Sequence, residues 1–373
     1  MISQKPHLIV WAGISGATLA EKFASIWQPS IVIEKRNHIW WNCYDFVNED
    51  GILVPKYGPH FFHTNYEDVR EYVSRFTAWT PYEHRVLSVL PDGTKVPMPV
   101  NITTVNTIFG TDIQNEAEMK ERLNEHIVPI ENPQDSRESA LSRVWEVLYE
   151  KLFRHYTKKQ RSVYPEQLDA LVMNRIPVRT DFDDRYFTDK YQAVPRDGYT
   201  HIFEQMLDHP LIEVRLWQDF EDYKDNLSDY DKVFYTGRID AYFGEKYEPL
   251  QYRSLRFEFE TLDQEYFQNR AQENYPNHEE FTRITEHKRA TGQQHPKTTI
   301  IREYSTRDGE PYYPFPTQHN KDLYAKYKLE AEQLEQEWIY FVWRLAEYKY
   351  FNMDQAFKNA LDLFERVKWP KHQ

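Results

Sequence analysis

The sequence is poor in glycine and almost without cysteine. It holds 11 glycines in 373 residues, although an average usage of about 7% would give roughly 26. The one cysteine, Cys43, excludes an internal disulfide framework and favours a reducing, cytoplasmic location. No apolar run approaches the length of a membrane span, and the N-terminal residues lack the layout of a cleavable signal. We therefore expect a protein with no membrane partner.

Positive charge is also in deficit. The 46 lysines and arginines are outnumbered by 59 acids, and the formal net charge of -13 argues against general binding to nucleic acid or anionic membranes. Any anionic ligand must then be held by a few placed arginines. The 10 tryptophans, 27 tyrosines and 22 phenylalanines provide either stacking surfaces for ligand rings or a core padded with large side chains. The length of the chain favours two or three domains.

The N-terminal segment has the pattern of a βαβ unit. Residues His7–Val10 predict a short buried strand, residues 17–27 a helix, and residues 30–34 a second strand that ends on Glu34. Two strands joined by one helix within about 30 residues indicate a right-handed crossover in a parallel sheet.

This unit carries a partial dinucleotide fingerprint. Such a fingerprint has glycine at the tight turn, at the close approach of the backbone to a pyrophosphate, and at the helix–strand contact. The three positions are Trp11, Gly13 and Gly16 in this chain, so two of the three glycines are present. Glu34 lies 21 residues after Gly13, where an acid can bind a ribose hydroxyl, or it is a solvated strand end.

The remainder of the chain changes character twice. Residues 111–160 are helical in pattern, with an apolar stripe at Ala140, Leu141, Val144, Leu148, Leu152 and Tyr156. Residues 171–310 hold β-type runs, at 254–260 and 297–303, that predict an antiparallel sheet. A last helix is predicted from the stripe Ala356, Phe357, Ala360, Leu361 and Phe364. No metal-ligand spacing and no nucleophile–histidine–acid signature is visible.

Longer strings of residues resemble the flavin-binding segments of bacterial UDP-galactopyranose mutases. The first two are EKRNHIWWNCYD at 34–45 and KYGPHFFHTN at 56–65. The resemblance continues, in order and over essentially the whole chain, at 174–179, 183–187, 281–286, 310–314 and 344–350. Chemically, the resemblance implies interconversion of UDP-galactopyranose and UDP-galactofuranose: N5 of a reduced flavin attacks the anomeric carbon, UDP leaves, and the opened sugar recloses before UDP returns.

The same resemblance implies an α/β fold and a homodimer. A Rossmann-type FAD-binding domain would carry an inserted helical domain with a substrate lid and an antiparallel β-sheet domain. The implied segments are 1–80, about 195–245 and 320–373 for the FAD-binding domain, 100–170 for the helical domain, and 81–99, 171–194 and 246–319 for the sheet domain.

The resemblance also assigns residues to the cofactor and the substrate. His60 would contact the flavin, and His63 would polarise or orient the backbone beside it. The FAD-binding set would be Gly13, Ser15, Gly16, Glu34, Lys35, Arg36, Asn42, Gly58, His60, Gly237 and Arg344. The UDP-galactose set would be His84, Tyr156, Arg175, Tyr186, Arg283, Tyr313, Tyr350 and Asn352, of which Arg175 and Arg283 suit a diphosphate. Asn352 can instead form an N-cap and capping box with Gln355.

The chain departs from the family at glycine positions. Trp11, Trp40, Trp41 and Trp343 stand where the family has glycine along the FAD site, Trp145 and His155 look like glycine replacements in the helical region, and Arg161-Ser162 replaces a Trp-Gly pair. Either the indoles fill an emptied cofactor site and leave a flavin-free nucleotide-sugar scaffold, or the loops shift and FAD still binds. A general flavin oxidoreductase would leave the arginine–tyrosine set without a role.

Overall fold

A computed structural model describes residues 5–39, 41–174, 177–277, 279–315 and 317–369. The strands of these residues are β1 His7–Val10, β2 Ser30–Glu34, β3 Asp45–Val47, β4 Leu53–Pro55, β5 Phe62–Thr64, β6 Trp79–Pro81, β7 Val86–Val89, β8 Lys95–Met98, β9 Tyr191–Pro195, β10 Ile212–Leu216, β11 Val233–Tyr235, β12 Tyr252–Leu262, β13 Gln272–Asn274, β14 Arg283–Thr285, β15 Thr298–Thr306, β16 Tyr313–Pro314 and β17 Ile339–Phe341.

The helices lie between these strands, and six of the α-helices in the described residues follow one another between β8 and β9. The helices are α1 Ile14–Ser25, α2 Glu67–Val73, α3 Ile102–Phe109, α4 Glu116–His126, α5 Ser136–Leu141, α6 Glu146–Leu148, α7 His155–Arg161, α8 Leu171–Asn174, α9 Tyr199–Leu207, α10 Ile239–Tyr242, α11 Lys288–Thr291, α12 Gln318–Leu334 and α13 Met353–Val367. A π-helical segment, Tyr149–Arg154, joins α6 to α7 and makes one continuous helical rod. Among the described residues, no helix is both long and apolar enough to cross a membrane.

A five-stranded parallel sheet organises the N-terminal unit. Its order is β10-β2-β1-β11-β17, and each neighbouring pair runs parallel. Alternation along β1 sends Ile9 into a core shared with α1, α9 and α13, whereas Leu8 and Val10 face a second core on the opposite side of the sheet. Helices on both faces are what an all-parallel sheet requires to bury its two apolar surfaces. The βαβ prediction is confirmed.

A seven-stranded sheet forms the second layer. Its order is β16-β12-β15-β14-β13-β7-β8, and a third core cluster lies between β7, β8 and the helical residues 102–153. The predicted β-run at 254–260 lies within β12, and the run at 297–303 overlaps β15 apart from its first residue. Strands β12 and β15 pair antiparallel. The sheet is not purely antiparallel, because β13 pairs with β7 in parallel. These two strands come from distant parts of the chain, so no hairpin fixes their relative direction.

Two predicted helix boundaries were wrong. Helix α1 begins at Ile14 rather than at residue 17, because Gly13 already serves as its extended N-cap. It ends at Ser25 because Trp27 adopts a left-handed conformation. The apolar stripe from Ala140 to Tyr156 does not belong to one helix, since Trp145 is extended and separates α5 from α6. The predicted last helix is confirmed as α13.

Helix α1 packs so closely on the turn after β1 that position 16 has no room for a Cβ atom. A Cβ on Gly16 would lie 2.1 Å from the carbonyl oxygen of Trp11, whereas a Cβ on Gly13 would meet nothing nearer than 3.6 Å. We expect Gly16→Ala to lower the melting temperature by several degrees, because overpacking of about 1–3 kcal/mol outweighs the gain in helix propensity of about 1 kcal/mol. Gly13→Ala is the matched control, and an equal drop for both variants in a thermal melt would contradict this account.

Candidate active site

A cavity of about 1020 Å³ lies between the seven-stranded sheet, the helical rod 146–161 and the segments at 59–63 and 350–355. Ten of the residues predicted from the sequence line it, namely His60, His63, His84, Tyr156, Tyr186, Arg283, Tyr313, Arg344, Tyr350 and Asn352. Arg175, which was predicted to bind the diphosphate, lies outside the described residues. The fold therefore gathers side chains that are separated by almost 300 positions in the sequence around one space.

Arginines dominate the charged lining of this cavity. Within the described part of the chain it is lined by five arginines, Arg143, Arg161, Arg253, Arg283 and Arg344, and by two acids that have partners, Asp189 and Glu303. Arg283 projects from β14, and its Nε lies 3.1 Å from Oε1 of the buried Glu303. Burial lowers the pKa of Arg283, but Glu303 together with Tyr156, Tyr313 and Tyr186 raises it by more, so that the net shift is upward. The guanidinium is therefore a fixed positive charge in a chain that is acidic overall.

Arg253 is a cavity residue that the sequence reasoning missed. Only 3% of it is exposed, and its Nη2 donates to Ser305 Oγ at 2.7 Å. Its Nε and Nη1 have no hydrogen-bond partner within the described part of the chain, and burial lowers its pKa, with a further contribution from Arg307 and Arg161. Buried donors without acceptors are unfavourable unless a ligand completes them. The alternation of β12, which turns residues 253 and 255 to the same cavity wall, was the available signal.

Tyrosines form a second group in the lining. The rings of Tyr313 and Tyr350 are nearly parallel, with centroids 6.0 Å apart, and the Arg344 guanidinium lies 4.9 Å from the first ring and 5.0 Å from the second. Burial raises the pKa of Tyr156 and of Tyr313. These phenols consequently stay protonated at neutral pH and can donate hydrogen bonds to an anionic ligand.

The histidines are held by neighbours rather than exposed. His63 on β5 has its Nδ1 2.9 Å from Asp189 Oδ2, and its ring stacks on Phe187 with centroids 3.6 Å apart. His60 Nδ1 lies 3.1 Å from the carbonyl oxygen of Gly58. Burial lowers the pKa of His60 to about 4, and the charge of Arg344 adds to the shift. His60 is therefore neutral at pH 7, and its role in contacting a flavin stays a prediction.

His84 and Asn352 have clear structural partners as well. His84 stacks on Phe61 at 4.0 Å, and its Nδ1 lies 3.1 Å from the hydroxyl of Tyr82. Asn352 opens α13 in a capping box with Gln355, whose Oε1 accepts the backbone N–H of Asn352 at 3.0 Å. The capping role is confirmed, and Asn352 also lines the cavity.

The dinucleotide position next to this cavity is almost closed. The space that remains there measures about 10 Å³ and is lined by Trp11, Gly13, Ile14, Ser15, Trp41, Thr236 and Trp343. The rings of Trp11 and Trp41 have centroids 6.4 Å apart. We call this space and its lining the cradle. About 10–15 Å³ suffices for one water molecule, so the residues present do not fit a dinucleotide.

Two further residues of the predicted cofactor set, Glu34 and Lys35, contact residues at or next to the cradle. Glu34 is fully buried, not a solvated strand end, and its carboxylate accepts the N–H groups of Ala12 and Arg36, each at 3.1 Å. Burial raises the pKa of Glu34. Lys35 Nζ lies 5.5 Å from the rings of both Trp11 and Trp41. The indoles thus occupy the positions that face the predicted cofactor contacts.

Other members of that set serve structural contacts in this chain. Arg36 stacks its guanidinium on Trp41 at 4.3 Å, pairs with Glu310 and donates to Asn42 Oδ1 at 3.3 Å. Gly58 has a φ of 91°, and a Cβ there would lie 3.0 Å from the ring of Phe257. Gly237 would place a Cβ 2.6 Å from the hydroxyl of Tyr235. Both turns require glycine because a side chain at either position would collide with a neighbouring ring or hydroxyl.

Two fully buried histidines make the protein sensitive to acid. Burial lowers the pKa of His84 to about 3 and of His287 to about 4, from an ordinary value of 6.5. Because the unfolded chain binds these protons first, the free energy of unfolding falls as the pH drops from about 6.5 towards 4, by at most about 1.4 kcal/mol per pH unit for each histidine. Melting temperatures across this range should show a shallower slope for His287→Gln. An unchanged slope for His287→Gln would contradict the assignment.

Comparisons with known proteins agree with this geometry. A family model described as UDP-galactopyranose mutase matches residues 151–350, and one described as an NAD(P)-binding Rossmann-like domain matches residues 9–76. The dTDP-fucopyranose mutase of Escherichia coli is 36% identical over 369 residues, which cover 95% of this chain and 96% of that protein. A probable UDP-galactopyranose mutase of Klebsiella pneumoniae is also 36% identical over 369 residues, covering 96% of this chain and 94% of that protein.

A solved structure shows the same fold. A crystal structure of reduced UDP-galactopyranose mutase matches with a TM-score of 0.77 at 15% identity, over 98% of this chain and 94% of that one. The matched family model spans more than half of the chain. The resemblance drawn from the sequence strings and the predicted α/β fold are both confirmed. The chain belongs to the UDP-galactopyranose mutase family.

Proposed function

We propose that the cavity binds UDP-galactose and that the fold serves the pyranose–furanose isomerisation for which the family is named. The observation that carries this proposal is the collection of five arginines around one cavity in a chain of net charge -13. The two curated relatives are both named as mutases of a nucleoside-diphosphate pyranose. A diphosphate is the common part of these substrates, and it needs fixed positive charge at one place.

Three arginines have geometries suited to a diphosphate. Arg283 is charged and held beside Glu303. Arg253 presents two donors without partners. Arg344 is anchored by Nη1 on the carbonyl of Tyr312 and by Nη2 on that of Phe351. Planar guanidinium groups can each bind two phosphate oxygens, and their anchoring reduces the entropy lost when the ligand binds.

The aromatic lining would complete the substrate site. Tyr156 lies on α7 and faces the cavity, where its ring offers a stacking surface for the uracil base. Tyr186, Tyr313 and Tyr350 would donate hydroxyl hydrogen bonds to phosphate or sugar oxygens. His60 and His63 lie on the 58–63 segment, and the His63–Asp189 contact would keep that segment in place during the reaction.

The isomerisation implied by the resemblance depends on a reduced flavin, which would supply the nucleophile. The cradle does not fit a flavin dinucleotide in the present chain, so no reaction step through that cofactor follows from this structure. A second candidate function is therefore a nucleotide-sugar binding protein without flavin, and the three indoles that line the cradle favour it. The homodimer, the three-domain division and the cytoplasmic location stay predictions.

Substitution of Arg253 tests the substrate site. We expect Arg253→Met to weaken the binding of UDP about 10- to 100-fold, since charge-assisted hydrogen bonds contribute roughly 1.5–3 kcal/mol. Isothermal titration with UDP measures this change. Arg256→Met is the matched control, because Arg256 lies on the same strand, is exposed and pairs with Glu258 outside the cavity.

Two results of the UDP titration would contradict the proposal. If the parent chain binds no UDP, the cavity is not a nucleotide-sugar site. If Arg253→Met and Arg256→Met weaken binding equally, the effect comes from overall charge rather than from the cavity. Arg283→Lys should weaken UDP binding because lysine lacks the planar guanidinium that binds two phosphate oxygens. The variant keeps a positive charge beside Glu303, so weaker binding cannot be attributed to a buried acid left without a partner.

A further inference from the structure

Tryptophan has an unusual backbone conformation in this protein. Six of the nine tryptophans that the structure describes have a positive φ: Trp11 at 73°, Trp27 at 62°, Trp41 at 44°, Trp217 at 58°, Trp338 at 66° and Trp343 at 97°. Only three other non-glycine residues share this feature within the described residues, Ser162, Glu245 and Tyr348. Residues other than glycine adopt positive φ in a few per cent of cases, and for a bulky side chain it is an outlier. Six such cases in one residue type need a common cause.

Trp27 shows which residue this backbone is built for. Its N–H donates to the carbonyl of Ala24 at 3.0 Å, and the N–H of Gln28 donates to the carbonyl of Phe23 at 2.9 Å. These two bonds define a Schellman motif at the end of α1, with residue 27 at the left-handed position that glycine normally fills. The indole is 79% exposed, so no packing contact compensates for the strained backbone.

Other members of the set repeat this pattern in unrelated places. Trp217 follows β10 and is 72% exposed. Trp338 ends the 3-10 turn after α12 in a left-handed conformation. Trp11 occupies the first glycine position of the dinucleotide fingerprint, and Trp343 follows β17. An exposed helix end and a buried turn at the dinucleotide position have no function in common. What these sites share is a backbone with positive φ, which glycine adopts without strain.

Among the described tryptophans without a positive φ, Trp79 and Trp145 behave differently, whereas Trp369 is 63% exposed near the end of the chain. Trp145 has a φ of -65°, is 5% exposed and donates its Nε1–H to the carbonyl of Arg122 at 3.2 Å. Trp79 stacks on Phe62 with ring centroids 4.7 Å apart and donates to Ser74 Oγ at 2.8 Å. Both side chains have packing and hydrogen-bond partners of the kind expected for a native tryptophan. Trp145 is consequently not a glycine position by its backbone.

We propose that residues 11, 27, 41, 217, 338 and 343 are glycine positions of this fold, and that glycine at 11, 41 and 343 opens the cradle to a flavin dinucleotide. Translation can place the same residue type at positions that are unrelated in the fold, because one codon can be assigned to different amino acids in different genetic codes. UGA is read as tryptophan in some codes and as glycine in others. The polypeptide made in its own cell would then carry glycine at all six positions, which also accounts for part of the low glycine count of 11.

The cradle geometry supports the second half of the proposal. Removal of the three indoles would leave Gly13, Ser15 and the N-terminus of α1, a helix of 12 residues, facing the freed space. Free N–H groups at a helix start bind a pyrophosphate. Lys35 Nζ lies 5.5 Å from the Trp11 ring, and Glu34, buried at the end of β2, accepts the N–H of Ala12 in the same turn. A helix N-terminus and a buried acid therefore lie close to the volume that the indoles fill.

Mass spectrometry of the protein purified from its own source cells is the first test. We expect peptides that cover positions 27, 217 and 338 to contain glycine, and peptides that cover positions 79 and 145 to contain tryptophan. Tryptophan at the first three positions would overturn the translational origin. Glycine at 79 or 145 would overturn the link between positive φ and residue identity.

Recombinant variants test the cradle itself. One variant carries glycine at 11, 40, 41 and 343; position 40 lies outside the described residues and is included because it adjoins Trp41. After incubation with FAD and removal of free ligand, we expect this variant to keep the visible flavin absorption and the parent chain to be colourless. A variant that melts cooperatively but stays colourless overturns the cradle half of the proposal. A variant that no longer melts cooperatively also overturns it, because glycine should relieve strain at these sites.

Single substitutions separate backbone strain from loss of packing. We expect Trp27→Gly and Trp217→Gly to raise the melting temperature, and Trp79→Gly to lower it. A lower melting temperature for all three would show that the left-handed tryptophans stabilise the fold and would overturn the proposal. Titration with UDP in the same variants reports on the substrate cavity alone, so failure of the cradle and failure of the proposed function are distinguishable.

Discussion

The close contact between α1 and the turn after β1 is the constraint on which the N-terminal unit depends. The helix begins immediately at Gly13, and Gly16 passes so near the Trp11 carbonyl that a methyl group cannot intervene. This contact fixes where the helix N-terminus lies relative to the parallel sheet. It also fixes the left-handed backbone at residue 11, since the chain must turn sharply between strand and helix.

The substrate cavity rests on a different part of the fold. Part of its charge comes from neighbouring strands of the seven-stranded sheet, where Arg253, Arg283 and Glu303 lie on β12, β14 and β15. Strand pairing places these residues with little dependence on the cradle, as the register of Arg283 against Glu303 shows. The sheet-borne part of the cavity lining is therefore independent of the volume that the indoles fill. Arg344 is different, because it directly follows Trp343 of the cradle.

The sequence predicted the fold where local periodicity and family strings were strong. The strands 7–10 and 30–34 and the last helix follow from their apolar patterns, and the cavity residues from strings such as those at 56–65 and 344–350. The parallel pairing of β13 with β7 and the break at Trp145 could not be predicted, because both depend on contacts between distant segments.

Within the site, the limits of the sequence were also physical. Arg253 could not be predicted as a site residue because a single arginine in a strand forms no motif. Its role is indicated only by the structure, in which its buried Nε and Nη1 have no hydrogen-bond partner among the described residues. The tryptophans were recognised as departures from glycine at 11, 41 and 343. The same demand at residues 27, 217 and 338 became visible only through the backbone angles, since no cofactor motif surrounds them.

The π-helical segment at 149–154 sets the rotation about the helix axis of the turns that follow it along the cavity wall. A π turn contains one residue more than an α turn, and each residue of an α-helix advances by about 100° around the axis. Tyr156, Thr157 and Gln160 of α7, which follows the π segment, line the cavity. Deletion of one residue in the segment would restore regular winding and rotate α7 by about a quarter of a turn, carrying the ring of Tyr156 away from the base it is proposed to stack on.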